Sequence, residues 1–183
     1  ETLRHASDPE LSCECEVTLE RFGVYRRPFL EDFLVESSLH YDLAVWSSAS
    51  DDYVEELVNT VVRPIVPLIF SWGRSRGTYR RDFDTDEYFY AKDLYKVRRR
   101  GYSLSRVLIV DDDPRKVAKN YGNAIYVDEF EGDPDDTTLR ELAPYLSQLV
   151  SEPEFRQVEK RRWRTGLDGS RTKSEGWCSK HDL

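Results

Sequence analysis

The chain of 183 residues has no methionine anywhere, only three cysteines and a deficit of positive charge. It also has no apolar run long enough to cross a bilayer and no recognisable signal peptide. Each absence restricts the reading. Starting at Glu1 without an initiator methionine, the chain is expected to continue upstream in the natural protein. Cys13, Cys15 and Cys178 form an odd set without framework spacing. Cys13 and Cys15, one residue apart, would share one face of a strand, which is a poor disulfide geometry. A disulfide scaffold is therefore excluded, and a reducing, intracellular compartment (cytoplasmic or nuclear) is expected. The formal net charge of -8 argues against attraction of the whole molecule to nucleic acid. No internal repeat is present.

What remains is a chain long enough for one domain with a sizeable core, plus a tail. Short apolar runs alternate with amphipathic segments. Strand-like runs occupy 13–17 and 23–26, the profile of a small hairpin flap. Further strands are expected at 43–46, 67–70, 107–110 and 124–127. Helices are expected at 28–36, with Pro28 near the first turn, at 51–62 after a cap at Ser50 or Asp51, at 94–100 closed by Gly101, at 114–121 and at 138–150. Residues 78–90, aromatic at both ends and polar in the middle, have the pattern of a hairpin. This alternation predicts an α/β fold with a doubly wound parallel sheet and helices on both faces. The expected boundaries are a domain at 1–150, a polar C-terminal helix at 151–164 and a disordered tail at 165–183.

The richest segment is Val107-Leu-Ile-Val-Asp111-Asp112-Asp113-Pro114, four apolar residues running into three carboxylates. An all-apolar run reads as a strand buried on both faces, and ligands bind at the carboxyl ends of such strands. Clustered carboxylates suit a hard cation such as Mg2+. The competing reading is an acidic turn that caps the next helix. Two further expected strand ends carry Ser47 and Lys92. A hydroxyl, an ammonium and a metal-binding carboxylate pair on converging strand ends make a phosphate site. Taken singly, Ser47 reads more readily as a helix-capping serine and Lys92 as a solvated lysine. The combination carries the argument.

The string Asp42-Leu-Ala-Val-Trp-Ser47-Ser48, then Tyr90-Ala-Lys92-Asp93-Leu94, then the acidic run, resembles the haloacid dehalogenase superfamily. More narrowly it is similar to the NLI-interacting-factor-like, small C-terminal-domain phosphatase branch. Tyr25-Arg-Arg-Pro28, Asn120-Tyr-Gly-Asn-Ala124 and Leu139-x-x-Leu-x-Pro144-Tyr-Leu146 add to the likeness, which runs to about Val150. The resemblance implies a fold with no large cap domain and Mg2+-dependent hydrolysis of phosphate monoesters through an aspartyl-phosphate, with a phosphoprotein bearing phosphoserine or phosphothreonine as substrate. It implies that Ser47, with Ser48 beside it, binds phosphate and that Lys92 stabilises nucleophile and phosphoryl oxygens. Asp112 would be a metal ligand, and Asp111 would orient Lys92 or the metal's waters. Arg74 would lie at the substrate mouth, with Arg76 as its neighbour, and Thr2 would close the family's Asp-x-Asp-x-Thr motif. Both aspartates of that motif, and the central strand carrying them, are expected upstream of Glu1.

Three rival readings compete with this one. The acidic run also resembles the opening of a response-regulator receiver, but too little chain follows Asp113 to supply the later Asp and Lys. A catalytically inactive relative would bind phosphorylated partners through Ser47, Lys92 and Arg74 without turnover. Arg98–Arg100 and Arg161-Arg162-Trp163-Arg164 could contact nucleic acid, although a solvated face fits the acidic charge better. Neither nucleic acid nor membrane is an expected partner, and the sequence leaves the oligomeric state open.

Overall fold

The structure is a computed structural model that describes residues 4–7, 17–19 and 22–168, with side chains described for 24–165. Cys13, Cys15, Cys178, Thr2 and most of the expected tail lie outside the described residues. Three short strands, β1 (Arg4–Ser7), β2 (Val17–Leu19) and β3 (Phe22–Arg26), form an antiparallel sheet in the order β1-β3-β2. A helix, α1 (Leu30–Ser38), follows. It buries Leu30, Phe33, Leu34 and Ser37, the stripe expected of an amphipathic helix.

Two parallel strand pairs position the site. β4 (Ala44–Trp46) pairs with β5 (Phe70–Trp72), and between them run α2 (Asp51–Leu57) and a wider helical turn over Val58–Val62. β8 (Ile109–Asp111) pairs with β9 (Ala124–Tyr126), linked by α4 (Pro114–Val117) and a tighter turn over Ala118–Asn123. Between the two pairs, β6 (Thr78–Arg81) and β7 (Tyr88–Ala91) form the expected antiparallel hairpin, and α3 (Tyr95–Arg98) follows it. Gly101 closes α3 at φ 98, a conformation that favours glycine.

Side-chain alternation explains why both faces of the β8 strand are covered. Leu108 and Val110 pack against one cluster, which includes α1 and α5 (Thr138–Leu149). Val107 and Ile109 pack against the other, which contains Trp72, Leu94 and Val97. Phe70 and Trp72 are stacked at 4.0 Å, with Trp46 edge-on to Trp72 at 5.0 Å. The parallel pairing matches the α/β expectation, but the expected single sheet is not formed among the described residues. β4–β5 and β8–β9 stay separate two-stranded units. β5 and β8 also begin later than the apolar runs at 67–70 and 107–110. Pairing is a backbone property, and it continues through polar Ser71 and Asp111.

The polar helix expected at 151–164 is corrected. That stretch contains short 3-10 turns at Phe155–Gln157 and from Trp163 onward. Local bonds draw it away from a helix: Glu154 accepts from the Arg156 amide, Glu159 accepts from the Arg161 amide, and Lys160 donates to the carbonyls of Phe155 and Val158. Phe155 and Trp163 are buried in the larger cluster, and Trp163 Nε1 donates to the Tyr126 carbonyl at 2.8 Å. No helix of the described residues is long and apolar enough to cross a membrane.

A buried ion pair ties β3 to the start of α5. The Arg27 side chain is fully buried and bonds Asp136 through both Nε and Nη2, at 3.1 and 2.8 Å, while Nη1 donates to the Asp128 carbonyl. Burial would raise the Asp136 pKa, but the bonds from Arg27 and the Thr138 amide outweigh it and hold that carboxyl below its ordinary value. A depressed folded-state pKa gives stability that is present at neutral pH and lost as the pH falls below about 4. Arg27→Ala is expected to lower unfolding free energy by about 3 kcal/mol in urea denaturation. A loss under about 1 kcal/mol would contradict this role.

Candidate functional site

The carboxyl end of β8 delivers the acidic run. Asp111 is completely buried, and its Oδ2 lies 2.6 Å from Lys92 Nζ. Its Oδ1 accepts from the Asp113 amide at 3.1 Å. Lys92 follows β7 directly, and its own amide donates to the Lys116 carbonyl at 2.6 Å, which fixes the backbone from which the amine reaches Asp111. Burial and then the Asp111 charge raise the pKa of Tyr126, the register partner of Asp111 on β9.

The three carboxylates of the run have separate surroundings. Asp113 is the N-cap of α4: it accepts from the Arg115 amide at 2.9 Å, and Pro114 occupies the first turn. The capping alternative therefore describes Asp113. Arg115 also reaches Glu87 at 2.8 Å and Asp82 at 3.4 Å, which joins the hairpin to the acidic run. Asp112 lines a surface groove with Tyr126, Val127 and Asp128.

The end of β4 supplies the hydroxyls. The Ser47 amide donates to the Trp72 carbonyl at 2.8 Å and continues the β4–β5 ladder, while its Oγ accepts from the Ala49 amide at 3.1 Å. Ser50, not Ser47, occupies the cap position of α2, and its side chain makes no capping bond. The Ser48 hydroxyl is buried without a hydrogen-bond partner, as is Trp46 Nε1. Such orphaned donors are uncommon in folded proteins and call for an explanation. Arg74 Nε donates to the Ser48 carbonyl at 3.0 Å, and the guanidinium lies over the Tyr90 ring at 5.3 Å. Gly73 permits the close approach of Asp51 at the start of α2, because a Cβ there would lie 2.6 Å from Asp51 Oδ1 and 2.8 Å from Asp51 Cα.

The structure thus brings together Ser47, Ser48 and Arg74 on the β4–β5 side, and Lys92, Asp111 and Asp112 at the end of β8. Backbone hydrogen bonds do not join the two groups among the described residues. For Mg2+, no group of three or more His, Cys, Asp or Glu able to hold a metal is found among the described residues. Asp111 has both oxygens bonded, leaving Asp112 as the carboxylate of the run that faces the groove. That set does not form a protein cage. It is compatible with Mg2+ held by one or two carboxylates, with water and phosphate oxygens completing the shell.

Two asparagines support the site in ways the residue pattern alone did not reveal. Asn120 Oδ1 accepts from the Leu94 amide at 3.1 Å, just beyond Lys92. Asn123 is fully buried and donates to the carbonyls of Leu104 and Val107, ahead of β8. Both belong to the Asn120-Tyr-Gly-Asn-Ala124 string, whose significance came only through resemblance.

The family model described as NLI interacting factor-like phosphatase matches residues 1–157. The chain belongs to this family. Among curated relatives, it is 28% identical over 167 residues to the probable C-terminal domain small phosphatase of Dictyostelium discoideum, covering 86% of this chain and 51% of that protein. It is 30% identical over 159 residues to CTD nuclear envelope phosphatase 1B of Danio rerio, covering 86% of this chain and 61% of that one. It is 32% identical over 139 residues to mitochondrial import inner membrane translocase subunit tim50 of Neurospora crassa, covering 74% of this chain and 24% of that one. The chain therefore spans only part of the length of these relatives. The NLI interacting factor-like match extends past Val150 and includes the buried Phe155.

The buried pair makes a thermodynamic prediction. Removing either partner leaves an uncompensated charge, so Asp111→Ala and Lys92→Ala should each cost about 3 kcal/mol or more. The double variant should cost less than their sum by at least about 1 kcal/mol in a double-mutant cycle of urea unfolding. Additive losses would show that the two side chains are not coupled.

Proposed function

We propose that this chain forms the phosphate-handling part of a phosphoric monoester hydrolase acting on phosphoserine or phosphothreonine in proteins. The observation that carries this reading is the buried Lys92–Asp111 pair at the end of a strand running into further carboxylates. An ammonium held on a completely buried carboxylate is oriented before substrate arrives. Its charge can then stabilise negative charge on a transferring phosphoryl group. The unpartnered Ser48 hydroxyl, with Ser47 beside it, supplies donors for the other phosphoryl oxygens.

In this reading Asp112 would hold Mg2+, whose charge would offset that of the phosphate. Asp111 keeps Lys92 in place, and Arg74 lies at the mouth. An aspartate carboxylate attacks phosphorus as the bond to the leaving alkoxide breaks, and a second carboxyl protonates that oxygen. Water then hydrolyses the acyl phosphate with the second group acting as base. Both carboxylates would be the aspartates of the Asp-x-Asp-x-Thr motif that the family resemblance implies, and the strand carrying that motif would complete a doubly wound sheet. The exposed, stacked Tyr79 and Tyr88, 5.1 Å apart on the hairpin, would border an open substrate groove, while Trp72 is committed to the core. A reducing intracellular compartment remains the proposed location.

The test is hydrolysis of p-nitrophenyl phosphate by the full-length protein with and without Mg2+. Mg2+-dependent turnover is expected, and Asp112→Ala should abolish it while the circular dichroism spectrum and melting temperature are preserved. Unchanged turnover in that variant would overturn the metal assignment. A folded wild type that binds phosphopeptide but releases no phosphate would overturn the enzymatic reading in favour of a binding module. Ser48→Ala offers a second check: stability should hold, because no hydrogen bond is lost, while kcat/KM falls by about 10-fold. An unaltered kcat/KM would remove Ser48 from the site.

A further inference from the structure

The C-terminal arginines meet the candidate site. Arg161, Arg162 and Arg164 line the same groove as Asp112, Tyr126 and Asp128, at the carboxyl ends of β8 and β9. The backbone presenting them is fixed at several points. Trp163 is buried and bonded to the Tyr126 carbonyl, and Lys160 is buried and bonded to the carbonyls of Phe155 and Val158. Arg164 pairs with Asp128 at 2.6 Å and Glu141 at 3.2 Å. Arg161 pairs with Glu159 at 2.7 Å. Arg162 lies between these anchored neighbours, exposed, and among the described residues no ion pair or side-chain hydrogen bond neutralises it.

We infer that Arg162 is a specificity residue that reads one acidic side chain of the substrate, either a carboxylate or a second phosphate, close to the phosphorylated residue. This rests on the phosphoprotein reading above. Two of the three arginines already have carboxylate partners, so among the described residues the groove offers one available cation and not a basic track. One unpaired guanidinium suits a single acidic side chain, whereas nucleic acid would engage many phosphates. The position also suits an adjacent residue rather than the reacting phosphate, because neither Lys92 nor Ser48 lines this groove. The buried, hydrogen-bonded Trp163 fixes the backbone that presents Arg162 to the groove shared with Asp112.

The experiment uses the full-length protein and a set of phosphoserine peptides in which glutamate, phosphoserine, alanine or lysine is placed in turn at each position from four before to four after the target. Dephosphorylation and fluorescence-anisotropy binding are both measured. At one position or an adjacent pair, the wild type should favour the acidic peptides over alanine by about threefold to fivefold, the scale of an exposed ion pair. Arg162→Ala should erase that preference, and Arg162→Glu should shift it to lysine. Both variants should hydrolyse p-nitrophenyl phosphate at the wild-type rate, since the residue does not touch the reacting group. Equal handling of acidic and alanine peptides by the wild type, or a preference that survives Arg162→Ala, would overturn the inference. Failure to hydrolyse either substrate would instead count against the hydrolase reading, and the binding preferences would then decide the role of Arg162 by the same criterion. Glutamate and phosphoserine peptides distinguish the two sources of negative charge.

Discussion

The candidate site depends on one buried ion pair. Lys92 follows a hairpin strand and Asp111 ends a parallel strand, so their contact joins two sheets that share no backbone hydrogen bonds among the described residues. A carboxylate with no solvent exposure requires a partner, and a lysine amine near it supplies one. The amide of Lys92 bonds Lys116, Asn120 holds the Leu94 amide, and Arg115 ties Asp113 to the hairpin carboxylates. These contacts converge on the same few residues. The pair is therefore both a structural joint and the means of fixing a positive charge at the end of β8.

The two halves of the proposed site have different physical characters. On the β8 side, charge is matched by charge and the backbone is closely tied. On the β4 side, neutral donors are left unsatisfied at Trp46 and Ser48, beside an arginine packed over Tyr90. Such a division suits a phosphate monoester, whose oxygens need both neutralisation and directed hydrogen bonds. In the proposed reading the substrate would lie between separate strand pairs, and β8 is covered on both faces by the two hydrophobic clusters.

Much of this was legible in the sequence. Apolar spacing located α1 and α5, the aromatic ends of 78–90 located the hairpin, and the run ending in Asp111 located β8. The roles of the adjacent aspartates were not legible, because Asp111, Asp112 and Asp113 are chemically identical and differ only in what the fold places beside them. Likewise, charge content made 151–164 look like a solvated helix. The segment instead packs through Phe155 and Trp163, while Lys160 is buried on carbonyls. Two apolar anchors so far apart in a polar stretch carry no helical period. The Arg27–Asp136 pair spans 109 residues, and no local pattern encodes a partner at that distance.

The most direct test of the account is an NMR titration of the full-length protein with inorganic phosphate in the presence of Mg2+. Saturable shifts at the Ser47 and Ser48 amides and at the Lys92 ammonium, all with one dissociation constant, are predicted. Shifts confined to one strand pair, or the absence of saturable change at Lys92, would contradict a phosphate site shared between the two halves.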